Sequence, residues 1–213
     1  GDYLVPGQDV VNLEAIDTDV LGADLRALMT GKPTRLAVYD FVSGRSTPGG
    51  GDELQLDPGH VLLIEGIHAL NPRLPLQESD GVFRIFINPM TSLPLDDVHR
   101  VSVSDIRLLR RIVRDRQQRA ISAAENIRRW PSVRRGEFKH IFPHQPRADA
   151  VFNSSLLFEA AVLRVYAERY LLEVPEDHPS FTVAFRLRRL IDKFVPIYPD
   201  HVPPNSLLRE FIG

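Results

Sequence analysis

The sequence of 213 residues predicts an α/β fold. Short runs rich in β-branched residues, amphipathic helical patterns, and the alternation of the two along the chain carry that expectation. The runs are VLLIEG at 61–66, VFRIFIN at 82–88 and ADAVFNSS from 148, each leading through a turn toward a helical pattern. Strands of this composition belong in a parallel sheet covered on both faces, where continuous apolar stretches are buried rather than alternating with polar ones.

In chain order, residues 13–30 place Leu13, Ile16, Val20, Leu21, Leu25 and Leu28 at spacings of three and four, so a helix with one apolar face is predicted, stopped by Gly31-Lys32-Pro33. RLAVYDFVSG and DELQLDP then flank the turn-rich RSTPGGG at 45–51, as the arms of a hairpin flap would. In VSVSDIRLLRRIVRDRQQRA, Ile106, Leu109, Ile112 and Val113 form an inward helical stripe. A further helix is predicted over LLFEAAVLRVYAERYLL. After Pro179 the chain carries another amphipathic helix and a proline-rich ending, read as an element packed on the core.

Composition narrows the classes. With 43% hydrophobic residues there is material for one sizeable core, and no run of about 18 apolar residues is present to span a bilayer. The absence of cysteine excludes disulfides and thiolate zinc sites and fits a reducing cytoplasm, the expected location. The net charge of -2 conceals an uneven distribution: residues 100–147 hold 13 of the 26 basic side chains, nearly all arginine. Such a block suits anions.

Two features could carry chemistry. Glu65 closes the apolar run 61–66 and is followed by Gly66. Because burying an unpaired carboxylate is costly, a strand ending there implies a cationic partner such as a metal ion, or else a cap or loop anchor. The second feature is the arginine block, in which Arg107, Arg111 and Arg114 fall at i, i+4 and i+7 on one helix face and Arg119 lies about a turn further on. Guanidiniums so grouped suit a polyphosphate, since the planar fork grips oxygens in pairs. The alternative is a solvated face paired with Asp105 and Asp115. RNA could also use such a patch, helped by Trp130, Arg134 and Arg135, although the slightly acidic total charge disfavours a nucleic-acid partner. No G-x-S-x-G nucleophile element occurs.

Together, NLEAID, YDFVSGR, VLLIEGIHALNP, RLLRRIVRDRQQR, RRWPSVRRGE, IFPHQPRADAVFNSSL and VPPNSLLREFIG resemble the uridine kinase branch of the P-loop kinases, related to phosphoribulokinase, and in particular its long bacterial type. That resemblance implies a three-layer fold with a parallel central sheet, a helical lid and a small hairpin flap. It also implies transfer of the ATP γ-phosphoryl group to a nucleoside 5′-hydroxyl, with Mg²⁺ as the accompanying ion. By resemblance, residues 1–178 form a nucleoside kinase domain lacking its first strand and P-loop, with a flap at 36–57 and a lid region at 94–135. Residues 179–213 form a helical extension. Glu65 matches the Mg²⁺-associated acid, Arg111 an arginine near the ribose, and Arg114 and Arg119 lid arginines that close on phosphates. Tyr39 and Phe41 match aromatic residues of the nucleoside pocket. Related kinases are often oligomers, so a homo-oligomer is an allowed assembly.

The sequence also departs from the pattern. No G-x-x-x-x-G-K-[ST] loop is present: at the single Gly-Lys pair, Gly31-Lys32, Pro33 stands where Ser or Thr is needed. Asp2 is one residue displaced from the family's catalytic base, Asp9 lies near the position of a ribose-binding carboxylate that aligns with Val11, and Arg45 follows Gly44 at the place of a base-reading histidine. Glu65 and the arginines are expected to converge on one triphosphate pocket. A nucleotide-binding pseudokinase is the rival expectation.

Overall fold

The computed structural model describes residues 13–40, 45–75, 81–90, 92, 94, 95, 97 and 100–213. The fold is α/β, as expected, and the chain divides into two compact units, Gly1–Phe86 with Val133–Ala150, and Ile87–Ser132 with Val151–Gly213.

In the first unit the predicted 13–30 helix is broken near its start. Leu13–Ala15 form a 3-10 turn, and helix α1 spans Thr18–Met29. The break lies at Asp17, whose side chain accepts a hydrogen bond from Val20 N at 3.0 Å and so satisfies one of the free amides of the first turn. At the other end Gly31 takes a left-handed φ of 72°, with Gly31 N donating to Leu28 O and Lys32 N to Ala27 O. This paired closure is the Schellman arrangement, and glycine adopts its backbone without a Cβ penalty. The Gly-Lys pair is thus a helix C-cap and not a phosphate cradle, which needs the N-terminal end of a helix.

The segment expected as a flap is a single hairpin with one interrupted arm. Strand β1 (Thr34–Arg35) pairs antiparallel with β4 (Glu53–Leu54), and β2 (Val38–Asp40) with β3 (Arg45–Thr47). The expected turn at 45–51 is corrected: residues 45–47 are a strand, and residues 48–52 bulge between β3 and β4 on the same returning arm, with Gly50 N donating to Thr47 O and Gly51 N to Leu36 O. Side chains that seal this unit include Leu13, Leu25, Leu28, Ala37 and Phe86. Phe142 stands edge-on to Phe86 and Phe138, and the Arg134 guanidinium lies over the Phe138 ring at 4.7 Å.

The expected strand at 61–66 is not formed. Those residues have no regular secondary structure, and Val61 and Leu63 are 90% and 86% exposed. A β-branched composition makes a strand only where a neighbouring backbone completes the ladder, and none pairs with this segment among the described residues. The other two runs do pair: β5 (Ile85–Asn88) and β6 (Ala150–Asn153) form a two-stranded sheet. Its ladder bonds, Ala150 N to Arg84 O and Ser154 N to Asn88 O, keep a constant offset along both strands, the mark of parallel pairing.

The second unit is built on helices. Helix α2 (Val103–Arg119) packs on α4 (Glu159–Leu172) and on α6 (Arg209–Ile212), and α4 also packs on α5 (Phe181–Ile191). The predicted stripe of α2 is buried throughout, and Leu108 joins it. Leu163, Leu171, Leu187, Ile191 and Leu208 complete one continuous core, so the final helices share their apolar contacts with α2 and α4. Helix α4 begins at Glu159, three residues later than the pattern suggests, with Leu156 N donating to the Glu159 side chain. Helix α3 (Ala123–His140) runs through Pro131, and the division between units falls two residues beyond it. No helix among the described residues is long and apolar enough to cross a membrane.

Candidate anion site and the placement of the predicted residues

Helix α2 owes its charge chemistry to one buried residue. Asp115 has no exposed surface, although it sits in a helix segment otherwise rich in arginine. Its Oδ1 accepts from Arg114 Nε and from Arg119 Nη1, both at 3.1 Å, and its Oδ2 lies 3.3 Å from Arg111 Nε. The positions i−4, i−1 and i+4 around Asp115 bring all three guanidiniums to the same carboxylate. Arg111 is tied further, its Nε donating at 2.9 Å to Oδ1 of buried Asn126 on α3, whose amide in turn donates to Ser122 O.

Three guanidiniums thus share the buried Asp115 carboxylate, and exposed Glu210 adds a second, its Oε1 3.9 Å from Arg114 Nη1. The side chains of Arg111, Arg114 and Arg119 remain 24%, 24% and 51% exposed, so the excess positive charge is presented to solvent. Burial pushes the Arg111 guanidinium below its ordinary pKa and Asp115 opposes that shift; Arg114, Arg119 and Arg129 add to the lowering through like-charge repulsion. A region in which cations repel one another at close range stabilises an anion placed among them.

The helix end reinforces the arrangement. Ala120, directly after Arg119, adopts a left-handed φ of 54°, the only described non-glycine residue with positive φ, and its N–H donates to Asp115 O. Ile121 N donates to the same carbonyl at 3.1 Å. Asp115 therefore anchors the C-terminal turn through its backbone and the arginines through its side chain.

Neighbouring charges are spent on structure. Arg110, on the same helix, is buried: Nε donates to Glu159 Oε2 at 2.5 Å, Nη2 donates to Ser154 O at 2.8 Å, and the guanidinium lies over the Phe211 ring at 5.2 Å. Asp105, the other acid in the sequence expectation, pairs with Arg186 of α5 through two bonds of 2.6 and 2.7 Å. Trp130 donates to Ser104 Oγ and has Arg107 above its ring at 5.9 Å, so this aromatic is engaged in packing rather than open to a base.

The other described residues of the prediction belong to the first unit. Glu65 is exposed, in an irregular segment of the first unit, so the expectation of a carboxylate ending a buried strand is corrected. The desolvation cost that prompted the search for a cationic partner does not apply there. Tyr39 stands opposite Ser46 and Arg45 opposite Asp40 in the β2–β3 ladder, which places Tyr39 and Arg45 on opposite faces of the hairpin. Asp2, Asp9 and Phe41 lie outside the described residues. Among those that are described, no three His, Cys, Asp or Glu side chains come together as a metal-binding group. Sequence reasoning did not anticipate Asn126 or the Arg110–Glu159 pair; a buried polar partner on another helix leaves no periodic trace.

Comparison with known proteins places the chain in a class. A family profile matches residues 7–157, and the chain belongs to the Phosphoribulokinase / Uridine kinase family. Among curated proteins it is similar to a uridine kinase of Brevibacillus brevis, 29% identical over 138 residues that make up 64% of this chain and 56% of that protein. A uridine kinase of Streptococcus pyogenes serotype M5 is 28% identical over 138 residues, 64% of this chain and 58% of the relative. The matched stretch therefore spans little more than half the length of these relatives.

Proposed function

We propose that the protein is a nucleoside kinase that transfers the γ-phosphoryl group of ATP to the 5′-hydroxyl of a pyrimidine nucleoside, uridine or cytidine. The observation that carries this is the gathering of Arg111, Arg114 and Arg119 about Asp115 with their guanidiniums part-exposed, in a chain of a kinase family. Phosphoryl transfer asks a protein chiefly for positioning and for neutralisation of charge on the phosphate oxygens, and clustered guanidiniums supply both. Arg114 and Arg119 hold the phosphates, and Arg111, fixed by Asn126, holds the acceptor side. Tyr39 and Phe41 contribute to the nucleoside pocket, with Asp9 and Arg45 as further substrate contacts and Asp2 as the base.

The donor set fits a phosphate-borne Mg²⁺. That ion keeps several waters and takes one or two carboxylates together with substrate phosphates, rather than a protein cage. Exposed Glu65 is free of the packed core and suits a single carboxylate contact of that kind. Mg²⁺ would supply charge neutralisation at the phosphates.

The test is transfer from ATP to uridine and cytidine by the full-length protein, with the 5′-monophosphate identified as product. Formation of that product supports the reading; ATP binding without product favours a pseudokinase. Glu65→Gln is expected to lower turnover most at limiting Mg²⁺ and to leave the thermal midpoint unchanged. Turnover equal to wild type at every Mg²⁺ concentration would remove Glu65 from the site.

A further inference from the structure

Three guanidiniums that serve one polyanion face a difficulty before it arrives: they repel one another, and each long side chain has rotamer freedom to lose. Asp115 meets both conditions from a position solvent cannot reach. We propose that Asp115 is a positioning residue, whose buried carboxylate holds Arg111, Arg114 and Arg119 as a preassembled fan for a polyphosphate and itself never touches the ligand. The inference rests on the kinase reading for the identity of the anion, and goes beyond it in assigning the assembly of the site to an acidic residue.

Three observations separate this role from simple charge balance. An exposed acid would balance charge equally well, whereas Asp115 is sealed, with Oδ2 meeting Arg111 Nε at 3.3 Å as an ion pair. A buried carboxylate held by ion pairs is retained at a desolvation cost, which points to a requirement beyond stability. Its backbone carbonyl is the acceptor for both Ala120 N and Ile121 N, so one residue sets the path of the turn that carries Arg119 and the direction of its guanidinium. Finally, the carboxylate uses few of the N–H groups available on three guanidiniums, each of which carries five. Apart from Arg111 Nε, held by Asn126, and Arg114 Nη1, which faces Glu210 Oε1 at 3.9 Å, the others can meet phosphate oxygens while the arms stay anchored.

The two roles predict opposite signs. If Asp115 only balances charge, Asp115→Asn makes the cluster more positive and inorganic tripolyphosphate binds more tightly. If it assembles the fan, the same change frees the arms and binding weakens, by about tenfold for ordering roughly one or two side chains. Calorimetric titration of the full-length protein with tripolyphosphate, for wild type and Asp115→Asn at the same ionic strength, distinguishes them. Weaker binding by a variant with wild-type helical content supports the proposal; equal or tighter binding overturns it.

Should Asp115→Asn not fold, the wild-type protein still decides. Arginine Nε relaxation in the ligand-free state is expected to show the Arg114 side chain ordered, in contrast to exposed Arg135, and its Nε–H resonance is expected to move when tripolyphosphate is added. An Arg114 Nε as mobile as that of Arg135 before ligand overturns preassembly. Failure here is distinct from failure of the kinase reading. A protein that phosphorylates uridine with a mobile Arg114 refutes only the role of Asp115, and an ordered fan that binds tripolyphosphate without turnover refutes only the kinase.

Discussion

Two faces of helix α2 carry buried carboxylate partners, and they are built in different ways. On one face Arg110 and Glu159 are both sealed, with Ser154 O, Leu156 N and the Phe211 ring filling the remaining contacts. On the other, Asp115 is equally buried, yet its three arginines reach solvent. Closed polar networks rigidify a core, whereas a network left open toward water keeps donors for something else. Adjacent residues of one sequence, Arg110 and Arg111, thus belong to different tasks.

The comparison can be broken most forcefully at the sealed pair. Arg110→Ala leaves Glu159 buried and uncompensated, and is expected to cost about 3–5 kcal/mol in urea denaturation. The paired change Arg110→Met with Glu159→Leu should cost less than either single truncation. A loss below about 1 kcal/mol for Arg110→Ala would show that the pair is not closed to water.

On the open face the effect moves from stability to rate. Arg114→Ala is expected to lower kcat on the order of 10²-fold through loss of charge stabilisation in the transition state, with little change in the denaturation midpoint. An increase confined to the nucleoside KM would mean that Arg114 contacts the acceptor and not the phosphates.

A smaller effect tests the turn that joins the two chemistries. Ala120 holds a left-handed backbone that disfavours any Cβ, so Ala120→Gly is expected to stabilise the protein by about 0.5–1 kcal/mol after the greater freedom of glycine in the unfolded chain is counted. Thermal unfolding measures it.

The smallest expected effect is at Glu125, which is part-exposed and accepts from Arg128 and Arg129. Those bonds bring its carboxyl from an ordinary 4.5 down to about 2. Because the folded value is the lower one, the contribution is complete above the unfolded pKa and is lost as pH falls from about 4.5 toward 2. Glu125→Gln should flatten the stability profile slightly in that window and nowhere else, as followed by circular dichroism.

How much of this was legible in the sequence follows from what each feature depends on. The stripe Ile106, Leu109, Ile112 and Val113 was readable because helical periodicity is local, and all four side chains are buried. The runs at 82–88 and 148 became strands because each completes the other's ladder. The run at 61–66 has the same composition but lacks such a partner among the described residues, and composition alone cannot report that. At the site, the arginine spacing was visible, and so was Asp115 as a salt-bridge partner. What spacing could not show is that the acid is buried and the arginines are not, since burial is decided by the helices packed around α2. Glu65 shows the converse: the charge that drew attention as anomalous for a buried strand sits in water.

The most direct test is steady-state phosphorylation of uridine by ATP with Mg²⁺, comparing wild type with Arg114→Ala. The account predicts uridine 5′-monophosphate from the wild-type protein and a kcat lower on the order of 10²-fold in the variant. Wild-type turnover that survives Arg114→Ala undiminished would contradict it.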